Sequence, residues 1–367
     1  MFGKVRKRGL KLGCLTAGII AAQMMNVGPA RALSINLIDT GGVAGSAAEQ
    51  GFLDAASVWE TLLADDVTVN LNVGFQSLGA SVLGQTGSSL FMVGYQATRN
   101  ALVADATSVA DSISTSSLPT GQFFDTFMNR TLDNPNGSLS ATPYLDDDDG
   151  RNNENVFMTS ANFRALGGVI AGNEDRVDAA ITFSSDFAFD FDDSDGIDSG
   201  SFDFVGVAIH EIGHALGFVS GVDALDTGNP LIGGTLNDVN ILSSTLDLFR
   251  YSDLSAASGV IDMSADDRDK FFSIDGGTTN LGLFSEGVNL GDGRQASHWK
   301  DGLGLGLLDP TLSAGEFGIV TGLDLAAFDV IGWDITPALV AVPLPGALPM
   351  FLAGLVGIGI LRRRKLS

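Results

Sequence analysis

The chain has 367 residues, with 44 acids, 20 bases, three histidines and one cysteine. Six bases lie in the first 32 residues and four in the last 26, which leaves ten bases against all 44 acids in between, a net charge of −34. A body this acidic excludes nucleic acid and anionic membrane as partners, and with Cys14 in the N-terminal segment it contains no disulfide.

In chain order, Lys4, Arg6, Lys7, Arg8 and Lys11 lead into an apolar stretch from Leu12 to Met25. Ala30-Arg31-Ala32 then offers small residues at the two positions a signal peptidase reads. Residues 1–32 are expected to be a secretory signal peptide cleaved before Leu33, which places the body outside the cytoplasm. About 310 residues remain between the two ends, enough for one large domain or two lobes around a cleft. Ala48, Phe52, Ala55, Ala56, Trp59, Leu62 and Leu63 recur at helical spacing, so 46–64 is predicted to be an amphipathic helix. Val67 to Val73 alternates and predicts a strand. Helices are expected over 97–112 and 159–167, then a strand from Ala179 to Phe191 ahead of a helix that Asp203 would cap. This order suits an α/β (α+β) fold with a twisted sheet backing the helix. From Gly217 to Pro310 the sequence is glycine-rich and weakly periodic, and an irregular C-terminal lobe is expected there.

Of the 44 acids, 37 are aspartates, a supply of hard oxygen ligands suited to calcium. The densest runs are Asp146 to Asp149 and Asp190, Asp192, Asp193, Asp195 and Asp198. Neither has the glycine of an EF-hand at its sixth position, and both read as solvated acidic loops.

Two of the three histidines stand four apart around a glutamate, in His210-Glu211-Ile212-Gly213-His214. On a helix, positions i and i+4 share a face, so both imidazoles can reach one metal ion. Glu211 is then placed to act as general base toward a water. Val205, Ala208, Ile209, Ile212, Leu216 and Val219 would form the buried stripe, with His210 and His214 turned toward a cleft. Gly217 can take the left-handed conformation that ends a helix abruptly. A catalytic zinc site needs a third protein ligand, and His298 is the remaining histidine, with Asp223 and Glu286 as the rivals. Asp309 and Asp324 are candidates by position for carboxylates behind the imidazoles, though turn or cap roles suit both.

At the far end, Val342-Pro343-Leu344-Pro345-Gly346 precedes an apolar segment to Leu361 and the basic tail Arg362-Arg363-Arg364-Lys365. The 16 residues from Gly346 to Leu361 are short of the ~20 that a permanent helical span prefers. Short motif, short apolar span and basic tail together resemble the PEP-CTERM sorting signals that exosortases read in Gram-negative bacteria, here in a Val-Pro-Leu-Pro variant covering 339–367.

The string HEIGHALGF resembles the metzincin class of zinc peptidases. In the short form of that class a third ligand follows three residues after the glycine, where this chain has Ser220, a poor zinc ligand. Leishmanolysin-like metzincins carry an insertion before the third histidine. His298 stands 81 positions after Gly217, so the likeness implies an insertion over about 221–297 and puts Leu308 where the class has a methionine. Many metzincins supply a tyrosine after that turn, whereas no tyrosine follows Tyr251 here, so the resemblance assigns no oxyanion donor.

FDFVGVAIHEIGHALGF (202–218), GDGRQASHWKD (291–301) and LDLAAFDVIGWD (323–334), with the sorting tail, are similar to a family of PEP-CTERM-anchored bacterial HExxH metalloproteases. That implies an exported zinc endopeptidase over residues 33–338. Its metal ligands would be His210, His214 and His298, its general base Glu211 and its substrate a protein or peptide. The alternative is a non-catalytic surface or matrix protein that retains a zinc-peptidase fold.

Overall fold

The computed structural model describes residues 32–171 and 176–337. The expected signal peptide, but for its last residue, and the whole sorting tail lie outside the described residues. Among the described residues no helix is long and apolar enough to cross a membrane.

The first strand, β1 (Ser34–Gly41), pairs in parallel with β2 (Thr68–Gln76), and between them runs the expected helix α1 (Ala47–Leu62). The alternation in β2 sends Val69, Leu71 and Val73 into the core, while Ala48, Phe52, Ala55, Ala56 and Trp59 bury one stripe of α1. Two strands follow, the polar, glycine-containing β3 (Gly84–Ser88) and the apolar β4 (Leu90–Gly94), joined at Ser89. The helix expected over 97–112 is two helices, α2 (Tyr95–Asp105) and α3 (Val109–Ser117). Ser108 divides them: its hydroxyl accepts from Asp111 N (2.9 Å) and the Asp111 carboxylate accepts from Ser108 N (2.9 Å). This reciprocal cap competes with helix continuation and wins.

Next come β5 (Thr126–Met128), β6 (Tyr144–Asp146), α4 (Arg151–Glu154), β7 (Asn155–Thr159) and α5 (Ser160–Ala165). The strand expected from Ala179 to Phe191 stops early, as β8 (Ala179–Ser184). Asp186 turns the chain there, accepting from Ser77 Oγ (2.6 Å) and Gly79 N (3.2 Å). Only Phe189–Asp190 resumes as a strand, in a separate two-stranded pair with Phe202–Asp203. Phe187 and Phe189 continue the alternation through this turn, which hid it from a reading of periodicity.

The principal sheet has the order β1-β2-β8-β3, parallel except for β3, which runs antiparallel on β8 at the edge. The motif helix α6 (Phe204–Leu216) packs on α1 and leans over β3. Phe52, Phe183 and Phe204 close this core, with ring centroids 4.5–5.2 Å apart. Trp59 is fully buried, its ring 4.6 Å from Phe328, and its indole N–H donates to Ile209 O on α6 (2.9 Å). Trp59→Ala is therefore expected to cost about 3–5 kcal/mol, read as a lowered urea midpoint at unchanged m-value.

The glycine-rich stretch after α6 is woven into the rest. Ser243–Ser244 pairs with β7, and Ile261–Asp262 pairs with β5, both in parallel. Three short antiparallel strands, Arg250–Tyr251, Lys270–Phe272 and Gly282–Phe284, carry the chain back toward α6. The fold is α+β, with several small mixed sheets around one buried core.

Candidate metal centre

Helix α6 starts where expected. The Asp203 carboxylate accepts from Gly206 N (2.8 Å) and also from Gly318 N (3.0 Å) on a returning loop. A side chain at Gly206 would fall 2.8 Å from the Gly318 backbone, so this crossing requires a glycine. Val205, Ala208, Ile209, Ile212 and Leu216 are buried; Val219 lies past the helix and lines the cleft instead. Gly217 ends the helix at φ +128°, a conformation that other residues rarely adopt. The reversal brings Phe218 O to within 2.7 Å of His214 Nδ1.

The three histidines meet. Their Nε2 atoms are 3.1 Å (His210–His214), 3.2 Å (His214–His298) and 3.3 Å (His210–His298) apart. Behind them, each Nδ1 faces a backbone carbonyl: Leu307 O at 2.9 Å for His210, Phe218 O at 2.7 Å for His214 and Gln295 O at 3.3 Å for His298. A carbonyl only accepts, so each Nδ1 carries the hydrogen and each Nε2 of a neutral ring presents a lone pair. Burial, and His210 beside it, push His214 down to about 3. Burial, with His214 and His210, also holds His298 well below its ordinary value. Three lone pairs converging on one point repel unless a cation lies between them. Ligands about 2.0–2.1 Å from a tetrahedral zinc stand roughly 3.3 Å apart, close to the observed edges. The donor set thus fits a metal ion with three nitrogen ligands.

His298 is carried in by a network that the sequence did not reveal. Soon after α6 the chain folds into the short helix α7 (Val222–Thr227), and its Asp223 accepts from Ala296 N (2.6 Å) and Ser297 N (3.3 Å). The buried Arg250 guanidinium donates to Ala296 O (3.2 Å) and Ser285 O (2.6 Å). Asp223 therefore holds the backbone before His298 and is absent from the donor cluster, and Glu286 is paired with Lys300 at 2.8 Å. Neither rival joins the histidines. Ser220 donates to Asp247 (2.6 Å) and is equally apart from them.

Leu308 is buried against α6; a methyl placed on Gly213 would approach its Cδ1 to 3.3 Å. Asp324 accepts from Trp299 Nε1 (2.8 Å) and Leu307 N (2.8 Å) while capping the helix Gly322–Val330. It supports the loop whose carbonyl receives His210, and the atoms facing the imidazoles are carbonyls throughout. Asp309 accepts from Thr311 N (3.1 Å) in a turn. Tyr251 is buried in its strand and is not among the residues that line the cleft.

Glu211 is 5% exposed, with its carboxylate against β3. Thr86 donates its hydroxyl to Glu211 Oε2 (2.7 Å), and a side chain at Gly84 would sit 2.9 Å from Oε1. Burial raises the Glu211 carboxyl above the usual range, opposed by His210 and by the Thr86 hydroxyl. Thr86 and Gly84 lie 125 and 127 positions before Glu211, in a strand of weak pattern, and no sequence signal marked them. All four groups open on a cleft of about 800 Å³, bordered by residues 80–86 on one side and by Asp309 to Leu312 on the other. Comparison with known proteins returns no matching family, no matching curated protein and no matching solved structure.

Proposed function

We propose that the chain is a zinc-dependent endopeptidase of metzincin type, exported from the cell that makes it. One observation carries the reading: three imidazole Nε2 atoms converge at the floor of an open cleft, with a buried carboxylate next to them. His210, His214 and His298 would hold the zinc. Bound there, zinc would polarise a carbonyl and lower the pKa of a water from 15.7 to about 7.

The chain's own residues supply the rest. Glu211 takes the proton of the attacking water and delivers it to the leaving amine, because its carboxylate is the only acid on the cleft face of α6. Thr86 holds that carboxylate in one rotamer through Oε2. As the edge strand of its sheet, β3 has unpaired backbone amides and carbonyls along its outer side, beside the cleft. An extended peptide can add to such an edge, which favours a polypeptide substrate over a small molecule.

The test is to measure zinc per mole and casein cleavage on the same sample. One zinc with cleavage supports the proposal; one zinc without cleavage of any peptide library rejects it in favour of a surface protein retaining the site. A milder variant checks the positioning role. Thr86→Val is expected to keep full zinc content and KM while kcat falls about 10-fold, by freeing the Glu211 rotamer. A fall in zinc content instead would show that Thr86 acts on the fold.

A further inference from the structure

A second group of oxygen donors assembles outside the cleft. Asp146 ends β6, Asp148 stands on the following turn, Asn152 lies in α4, and Asp238 comes from the insertion. One carboxylate oxygen from each aspartate lies within 4.8 Å of the others. The expectation of a solvated acidic loop holds for residues 192–195 and for the exposed Asp147, Asp148 and Asp149, but fails for Asp146, which is 3% exposed beside Asp238 at 7%. The reason is tertiary, since the insertion lays Asp238 over the loop. Among the described residues no lysine or arginine pairs with any of the three. Burial pushes Asp146 up to about 7, with Asp238 and Asp148 adding repulsion.

An independent observation comes from Asn152, which is 2% exposed. Its Nδ2 donates to Asp146 Oδ2, while its Oδ1 has no hydrogen-bond partner. Turning the amide over would set Oδ1 against the Asp146 carboxylate, so the orientation is fixed. The amide stands beside two of the three carboxylates: its Nδ2 is on Asp146, and its unpartnered oxygen borders the same point as Asp148, since a methyl on Gly150 would fall 3.0 Å from Asn152 Oδ1 and 2.7 Å from Asp148 Oδ1. A water could satisfy the amide oxygen but could not neutralise three carboxylates. A cation does both.

We propose that Asp146, Asp148, Asp238 and Asn152 Oδ1 bind one calcium ion that ties the insertion to the body of the fold. The donors are all hard oxygens, which disfavours zinc and copper. Calcium accepts irregular sets of six to eight oxygen ligands completed by water, whereas magnesium demands a near-ideal octahedron. The carboxylates are already oriented. Gly150 N donates to Asp148 Oδ1 (2.8 Å), with Asp149 in a left-handed turn at φ +60°. Val239 N donates to Asp238 Oδ1 (2.6 Å) and Tyr144 Oη to Asp238 Oδ2 (3.0 Å). Loop 146–150 leads through α4 into β7, and Asp238 leads into Ser243–Ser244, which pairs with β7. The ion would pin both segments that flank this strand.

The experiment uses the full chain, stripped with chelator and reloaded with one equivalent of zinc, then titrated with calcium chloride in a calorimeter. Expected are one calcium per chain and a Tm raised by about 5 °C at a calcium concentration 100 times Kd. Asp148→Asn, at an exposed position that folding tolerates, should weaken calcium at least about tenfold without lowering the calcium-free Tm. Asp334→Asn, in the separate group Asp65, Asp105 and Asp334, should bind calcium as wild type does. The proposal is overturned by a wild type that takes up no calcium, by Asp148→Asn of unchanged affinity, by loss of binding in Asp334→Asn instead, or by magnesium binding as tightly as calcium.

Discussion

His298→Ala is expected to lower zinc affinity by more than about 100-fold and to abolish peptide cleavage, while the fold survives. The loss exceeds the 10- to 100-fold typical of a group that only supports a ligand, because one of three nitrogen donors disappears. With two imidazoles left on one helix face, the ion keeps half of a tetrahedral set and exchanges readily with solvent. The fold survives because Ala296, Ser297 and Trp299 stay fastened to Asp223, Arg250 and Leu308 through their backbones. Zinc is measured by competition with a chromophoric chelator, and folding by the thermal midpoint of the metal-free proteins. Unchanged zinc affinity in His298→Ala would break the three-histidine site, whatever happened to cleavage.

Glu211→Gln separates chemistry from metal binding. It is expected to retain one zinc per chain and to lose kcat by roughly 10²- to 10⁴-fold, equivalent to about 3–5 kcal/mol of transition-state stabilisation. Glutamine has the same shape and can still receive the Thr86 hydroxyl on its carbonyl oxygen, so β3 and α6 should keep their spacing. What it cannot do is accept a proton. Zinc content and kcat must therefore move apart in this variant and together in His298→Ala. If Glu211→Gln cleaved casein at the wild-type rate, the carboxylate would have no part in the reaction and the endopeptidase reading would fail. Its burial would then be a matter of packing and hydrogen bonding against β3.

Two of the three histidines could be placed from local pattern because their spacing is a helical turn. Their helix is bounded by Asp203 and Gly217, residues whose conformational preferences act within a few positions. His298 could be named as the remaining histidine and through the family resemblance, with Asp223 and Glu286 as its rivals. The structure separates them: Asp223 is spent, across more than 70 positions, on the backbone of Ala296 and Ser297, and Glu286 on Lys300, 14 positions along the chain. The helix expected over 97–112 and the strand expected over 179–191 were each one element too long. In both cases a side chain took a backbone hydrogen bond at the break, Ser108 in the first and Asp186 in the second.

The sequence by itself determined the chemistry of the site: a helix presenting two imidazoles and a carboxylate on one face, in an acidic body without disulfides. It also determined α1, β2 and the start and end of α6, whose cores repeat at periods short enough to be read locally. Only the tertiary structure decided which residues complete the histidine pair, which strand borders Glu211, and which aspartates lose their water. Those outcomes depend on pairings between segments 80 to 130 positions apart. The free energy of such contacts comes from shared burial and from hydrogen bonds formed only when both segments are in place. A window along the chain carries no record of its distant partner, so nothing in the sequence around Thr86, Asp223 or Asp146 marks the contacts that give each its role.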